Sequence, residues 1–136
     1  MMLKTEVWSV SGVNSMKPLL GSQLPSFLKR FDDFKEAEIR SLEILSPSVI
    51  SIELLAQDKA RDFDWISVQL LFEDVRDANI PQKATITYLN MDDGIKIIKE
   101  EELYAFCLGN YTTIRAAKAS QLYIVCTKIK QSEGAF

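Results

Sequence analysis

Before Phe34 the apolar positions recur every three or four residues; beyond it they recur every two. Leu24, Phe27, Leu28, Phe31 and Phe34 fall on one side of a helix drawn over Ser22–Phe34, with Lys29, Arg30 and Asp33 on the other. Pro25 suits the first helical turn, where its missing N–H removes no bond. The stripe predicts an amphipathic helix that lays an aromatic face on one end of a sheet; docking a partner is the alternative use of the same stripe.

The period of two predicts strands. Glu38–Leu45 alternates imperfectly and ends at the turn Ser46-Pro47-Ser48. Ile50, Ile52, Leu54 and Ala56 alternate with Ser51 and Glu53, and Ile66, Val68, Leu70 and Phe72 alternate with Ser67, Gln69 and Glu73. The charged stretch Gln57–Asp62 connects these two strands. Val75 and Ile80 flank a charged loop containing Arg76 and Asp77. Ala84–Asn90 reads as a further strand, joined through the hairpin signal Asp92-Asp93-Gly94 to Ile95–Lys99. Glu100-Glu101-Glu102 marks a solvated corner before a strand at Leu103–Leu108, and Gly109-Asn110 turns into an extended Tyr111–Ala117. Leu122–Ile129 is apolar on both faces and belongs where a sheet is covered twice. Gln131–Phe136 reads as a frayed tail. Residues 1–23 are weakly patterned: Thr5–Val10 offers a short strand carrying Val7 and Trp8, then Gly12, Asn14, Pro18 and Gly21 break the chain.

Short connections favour antiparallel neighbours, and no βαβ alternation is present. The expected architecture is a single mainly β domain over residues 1–136, bordering on α+β. It would be an antiparallel sheet, a sandwich or a partly closed barrel of about seven or eight strands, with one helix at one end. The balance of 47% apolar and 26% charged residues in 136 suits such a domain. No apolar run is long enough for a bilayer, and the first ten residues lack the apolar core of a signal peptide, so a cytoplasmic protein without membrane contact is expected.

The chemical inventory is thin. The chain has no histidine, which excludes Ser-His-Asp and Cys-His machinery and removes the commonest metal ligand. Cys107 and Cys126 lack C-x-x-C spacing and lie in apolar runs, so they read as buried thiols rather than metal ligands. No phosphate-binding glycine loop occurs, and Asp92-Asp93-Gly94 lacks the frame of a calcium loop. No metal, cofactor or catalytic residue is therefore expected. Lys128 and Lys130 beside Tyr123, and Lys96 with Lys99, are the nearest approach to an RNA-binding face; a net charge of −3 weighs against nucleic acid.

The binding candidates are Asp32, Asp33, Glu36 and Glu38, clustered where helix gives way to strand, and Trp65, at the head of the best strand. The acids read either as a solvated junction or as a carboxylate pair able to do acid–base chemistry. Trp65 reads either as a core edge or as an anchor for a partner.

Phe34-Lys35-Glu36-Ala37-Glu38-Ile39, the strand Val68-Gln69-Leu70-Leu71-Phe72-Glu73-Asp74-Val75 and the strand Leu122-Tyr123-Ile124-Val125-Cys126 together resemble a set of small bacterial β-rich proteins. Some of these are polymorphic-toxin immunity proteins and many are uncharacterised. Their first motif reads roughly Phe-His-Asp-Ala-Glu-Ile, their second Leu-x-Phe-x-x-Val. The resemblance spans Phe31 to Lys128, and Lys35-Glu36 stands where the set has His-Asp. It implies a non-enzymatic bacterial protein that acts by binding a protein partner, an immunity-like inhibitor being one form. Two alternatives stay open: a β-barrel or sandwich that carries a small apolar ligand, and a carboxylate-dependent enzyme. Exposed sheet edges would also permit a homo-oligomer.

Overall fold

The computed structural model describes residues 16–135. Two antiparallel sheets pack face to face. The first contains β1 (Lys17–Pro18), β2 (Glu38–Ser46), β3 (Val49–Asp58), β4 (Asp64–Glu73) and β9 (Lys128–Ala135), in the order β1-β9-β4-β3-β2. The second contains β5 (Asp77–Asn79), β6 (Ile95–Glu100), β7 (Leu103–Leu108) and β8 (Tyr123–Cys126), in the order β5-β8-β7-β6. The sheets do not close into a barrel. No helix among the described residues is long and apolar enough to cross a membrane. The Thr5–Val10 strand and Phe136 lie outside the described residues.

The alternating positions meet in register. Ile50 faces Phe72, Ile52 faces Leu70, Leu54 faces Val68 and Ala56 faces Ile66. All eight are buried and form the inner face of the first sheet. Phe106, Ile97, Ile95 and Ile124 of the second sheet close the core over them, and Phe72 meets Phe106 with ring centroids 5.1 Å apart. Side chains thus fill the space between the sheets. The second sheet is also covered on its outer face, where Ala105, Cys107 and Val125 pack under Ile114 and Ala117. Cys107 and Cys126 are free and buried; burial pushes the first thiol up to about 11 and the second to about 12.

Several expectations need correction. The helix is shorter than Ser22–Phe34: α1 runs Leu24–Arg30, between 3-10 turns at Gly21–Gln23 and Asp32–Phe34. Asp32, Asp33 and Phe34 have φ of 55°, 57° and 58°, so the right-handed helix stops before them. Its stripe is nevertheless core: Phe27, Phe31 and Phe34 are buried, and Phe31 stacks on Phe34 at 4.8 Å.

Ala84–Asn90 is not a strand. Pro81 precedes a 3-10 helix at Lys83–Tyr88, in which Thr85 bonds the Gln82 carbonyl through its N–H and its hydroxyl. Of its large apolar residues Ile86 is buried while Tyr88 is 85% exposed, so period two does not mark one buried face here. Asp92-Asp93-Gly94 accordingly joins no strand pair; the Asn90 side chain accepts the Asp92 N–H and Gly94 N–H returns to the Met91 carbonyl. Gly94 has φ +71°, and a Cβ there would sit 2.0 Å from the Asp33 carbonyl oxygen. Gly94→Ala is expected to cost about 2 kcal/mol, read as a lowered urea midpoint, since strain and clash coincide.

Tyr111–Ala117 is not extended. Thr113 caps a short helix, α2 (Ile114–Ala117), accepting the Ala116 N–H at 3.0 Å, and the three-residue spacing of Ile114 and Ala117 buries both. Leu122–Ile129 is not one strand. β8 ends at Cys126 and β9 begins at Lys128, in different sheets; Thr127 marks the crossing, its hydroxyl donating to Asp74 at 2.7 Å.

The tail does not fray within the described residues, because β9 pairs with β4 from Glu73↔Lys128 to Ile66↔Ala135. Gln57 and Asp58 belong to β3 rather than to a connection, which is reduced to the 3-10 turn Lys59–Arg61 and the residues before β4. The loop between Val75 and Ile80 also contributes β5, an edge strand on β8.

Candidate functional site

Three segments meet at the end of the sandwich where α1 gives way to β2. They are the Phe31–Ala37 junction, the β3–β4 hairpin and the turn at Asp92. Together they line a cleft of about 290 Å³. The junction contributes Phe31, Asp32, Lys35, Glu36 and Ala37; the hairpin contributes Gln57, Lys59, Phe63 and Trp65. Phe31 and Ala37 are buried, whereas Phe63 is 57% exposed and Trp65 44%. The cleft therefore has an apolar base, two accessible aromatic rings and a polar lining.

The backbone around it is strained. Eight described non-glycine residues have positive φ, and six of them are Asp32, Asp33, Phe34, Glu36, Asp62 and Phe63. For a phenylalanine this region is an outlier, held only when the surroundings over-determine it. The surroundings are visible. Glu36 N–H donates to the Met91 carbonyl at 2.9 Å and Ala37 N–H to that of Phe34 at 3.1 Å. Phe63 N–H donates to the Asp58 carbonyl at 2.9 Å, and the Gln57 amide reaches the Phe63 carbonyl at 3.2 Å.

Behind the hairpin lies a partly buried ion cluster centred on the fully buried Asp58. Arg30 donates to both Asp58 oxygens at 2.8 and 2.6 Å and to both Glu133 oxygens at 2.9 and 2.7 Å. Arg61 approaches Asp58 at 3.3 Å, and Ala60 N–H caps the same carboxylate at 2.9 Å. The Arg30 hydrogen bond outweighs burial and holds the Asp58 carboxyl below the usual carboxylate range; Arg30 is raised in turn. This cluster ties α1, β3 and β9 together under the turn that presents Phe63.

Of the residues singled out in the sequence, Asp32, Glu36 and Trp65 come together in this cleft. Asp33 and Glu38 do not: Asp33 forms an ion pair with Lys96 at 3.3 Å, and Glu38 is exposed at the start of β2, in register with Leu55. Phe63, Gln57, Lys59 and Asp92 are lining residues outside the binding candidates of the sequence, in which Asp92 reads as part of a hairpin turn. The acid–aromatic alternation Asp62-Phe63-Asp64-Trp65 is the signal that marks the hairpin.

A second cleft of about 490 Å³ lies beside edge strand β2, lined by apolar residues including Leu42, Ile44, Leu45 and Ile86, with Glu43 and Lys83. It has the larger volume but few polar groups to fix an occupant, and none of its lining residues has positive φ. Comparison of the chain with protein-family models, with curated proteins and with solved structures gives no match.

Proposed function

We propose that this is a non-enzymatic bacterial protein of the cytoplasm that acts by binding a protein partner through the Phe63–Trp65 cleft, as an immunity-like inhibitor does. The observation that carries this reading is the pair of exposed aromatic rings on a hairpin whose strained turn is braced from behind. Exposed tryptophan and aromatic neighbours on rigid backbone are what interface anchors require, because little conformational entropy remains to be lost on binding. The filled interior speaks for a surface site rather than an enclosed ligand. Asp32, Glu36 and Asp92 are all exposed, which suits recognition of a partner's charge better than acid–base chemistry, which draws on desolvation.

The test is co-expression in the native host with the product of each adjacent gene, wild type against the double variant Phe63→Asn, Trp65→Ala. Asparagine tolerates the left-handed conformation at position 63, so the ring is removed and the turn kept. The wild type is expected to neutralise a toxic neighbour and form a stoichiometric complex. The double variant should keep its melting temperature and lose at least about a hundredfold in affinity, on the scale of two anchors. A toxic neighbour bound equally by both proteins would remove the cleft from the account. Absence of any neutralised neighbour would remove the immunity-like reading.

A further inference from the structure

We infer that the cleft receives an arginine side chain of the partner; this rests on the docking reading above. The argument is one of charge and shape. Asp32, Glu36 and Asp92 line the cleft, and Asp62 and Asp64 flank Phe63 in sequence. All five are exposed, and none is in an ion pair among the described residues.

The cations nearby are mostly committed elsewhere. Arg30 and Arg61 serve Asp58 and Glu133, and Lys96 serves Asp33. Within the lining itself Asp32, Glu36 and Asp92 face only Lys35 and Lys59, which leaves one negative charge in excess, and Asp62 and Asp64 add to the acidity of the adjoining turn; a single bound cation would balance the lining. The aromatic rings narrow the choice. A guanidinium is planar, weakly hydrated and able to stack on an indole or phenyl face while its edge donates two parallel bonds to a carboxylate. A neutral apolar side chain would leave the acids unanswered, and an anion would be repelled.

The experiment uses the full-length ¹⁵N-labelled protein and the peptide acetyl-Gly-Ser-Arg-Gly-Ser-Arg-Gly-Ser-amide, with citrulline replacing arginine in a second, neutral peptide. Saturable shifts are expected at the Trp65 indole N–H and at the amides of residues 32–36 and 62–64. The arginine peptide should bind about tenfold tighter than the citrulline peptide, and raising salt should close the gap. The triple variant Asp32→Asn, Glu36→Gln, Asp92→Asn should lose about the same tenfold and leave citrulline binding unchanged.

Equal binding of the two peptides would overturn the arginine assignment while leaving the cleft a docking site. Shifts spread over the acidic surface without saturation, or no shifts at all, would overturn it as well; the docking reading would still be judged by the Phe63 and Trp65 variants. The same signals moving on concentration of the protein alone would place a second copy of the chain in the cleft, and would also overturn it.

Discussion

Replacing Asp58 with alanine is expected to cost about 3–5 kcal/mol, one of the two largest losses any single substitution should produce here. Asp58 is completely buried, and its two oxygens accept from Arg30 and from Ala60 N–H, with the Arg61 side chain paired to it at 3.3 Å. Removing it strands a partly buried guanidinium and frees the cap of the Lys59–Arg61 turn. Asp58→Asn should cost nearly as much, because the amide NH₂ turns a donor toward a donor. Glu133→Gln should cost less, about 1 kcal/mol, since Glu133 stays in partial contact with water. Urea denaturation at pH 7 reads all three.

The sign of the pH dependence follows from the depressed Asp58 carboxyl. Its stabilising contribution is complete above the unfolded-chain value of about 4 and is lost as pH falls through the lower, folded value. The gap in stability between wild type and Asp58→Asn should stay constant from about pH 5 upward and narrow below about pH 4. A gap independent of pH down to strongly acid solution would mean that Asp58 does not act through its charge.

Phe106→Ala is the second large effect, also about 3–5 kcal/mol. Phe106 and Phe72 are fully buried, and their tilted contact at 5.1 Å joins the two sheets at the middle of the core. Truncation leaves a cavity bounded on both sides by regular sheet, which has little freedom to collapse. Phe106→Leu should cost closer to about 1.5 kcal/mol, because most of the volume is retained. Tyr88→Ala, at an exposed ring, should stay within about 0.5 kcal/mol of wild type. A loss below about 1 kcal/mol for Phe106→Ala would contradict a core shared between the sheets.

The parts of this fold legible in the sequence are those in which one residue's neighbours decide its state. Ile50–Ala56 and Ile66–Phe72 alternate because one face of a sheet is wet and the other dry, and they pair in register as that pattern demands. The illegible parts depend on contacts distant in sequence. Residues 84–88 have strand composition, yet local 3-10 hydrogen bonds claim their backbone. Gln131–Ala135 looks like a polar tail, but β4 and β1 lie on either side of β9 and give it a ladder. At the cleft, Asp32, Glu36 and Trp65 stand out as a charge cluster and a rim tryptophan. That they converge depends on left-handed residues at 32–34, 36 and 62–63, which no periodicity reports. Phe63 was hidden for the same reason: a phenylalanine between two aspartates reads as punctuation until the turn holds its ring outward.

The most direct measurement is a calorimetric titration of the neutralised neighbour into three proteins: wild type, Phe63→Asn/Trp65→Ala, and Tyr88→Ala, which removes an exposed ring outside the cleft. The account predicts an affinity loss of at least about a hundredfold for the cleft variant and none for Tyr88→Ala. Equal affinities for all three, or a loss confined to Tyr88→Ala, would contradict it.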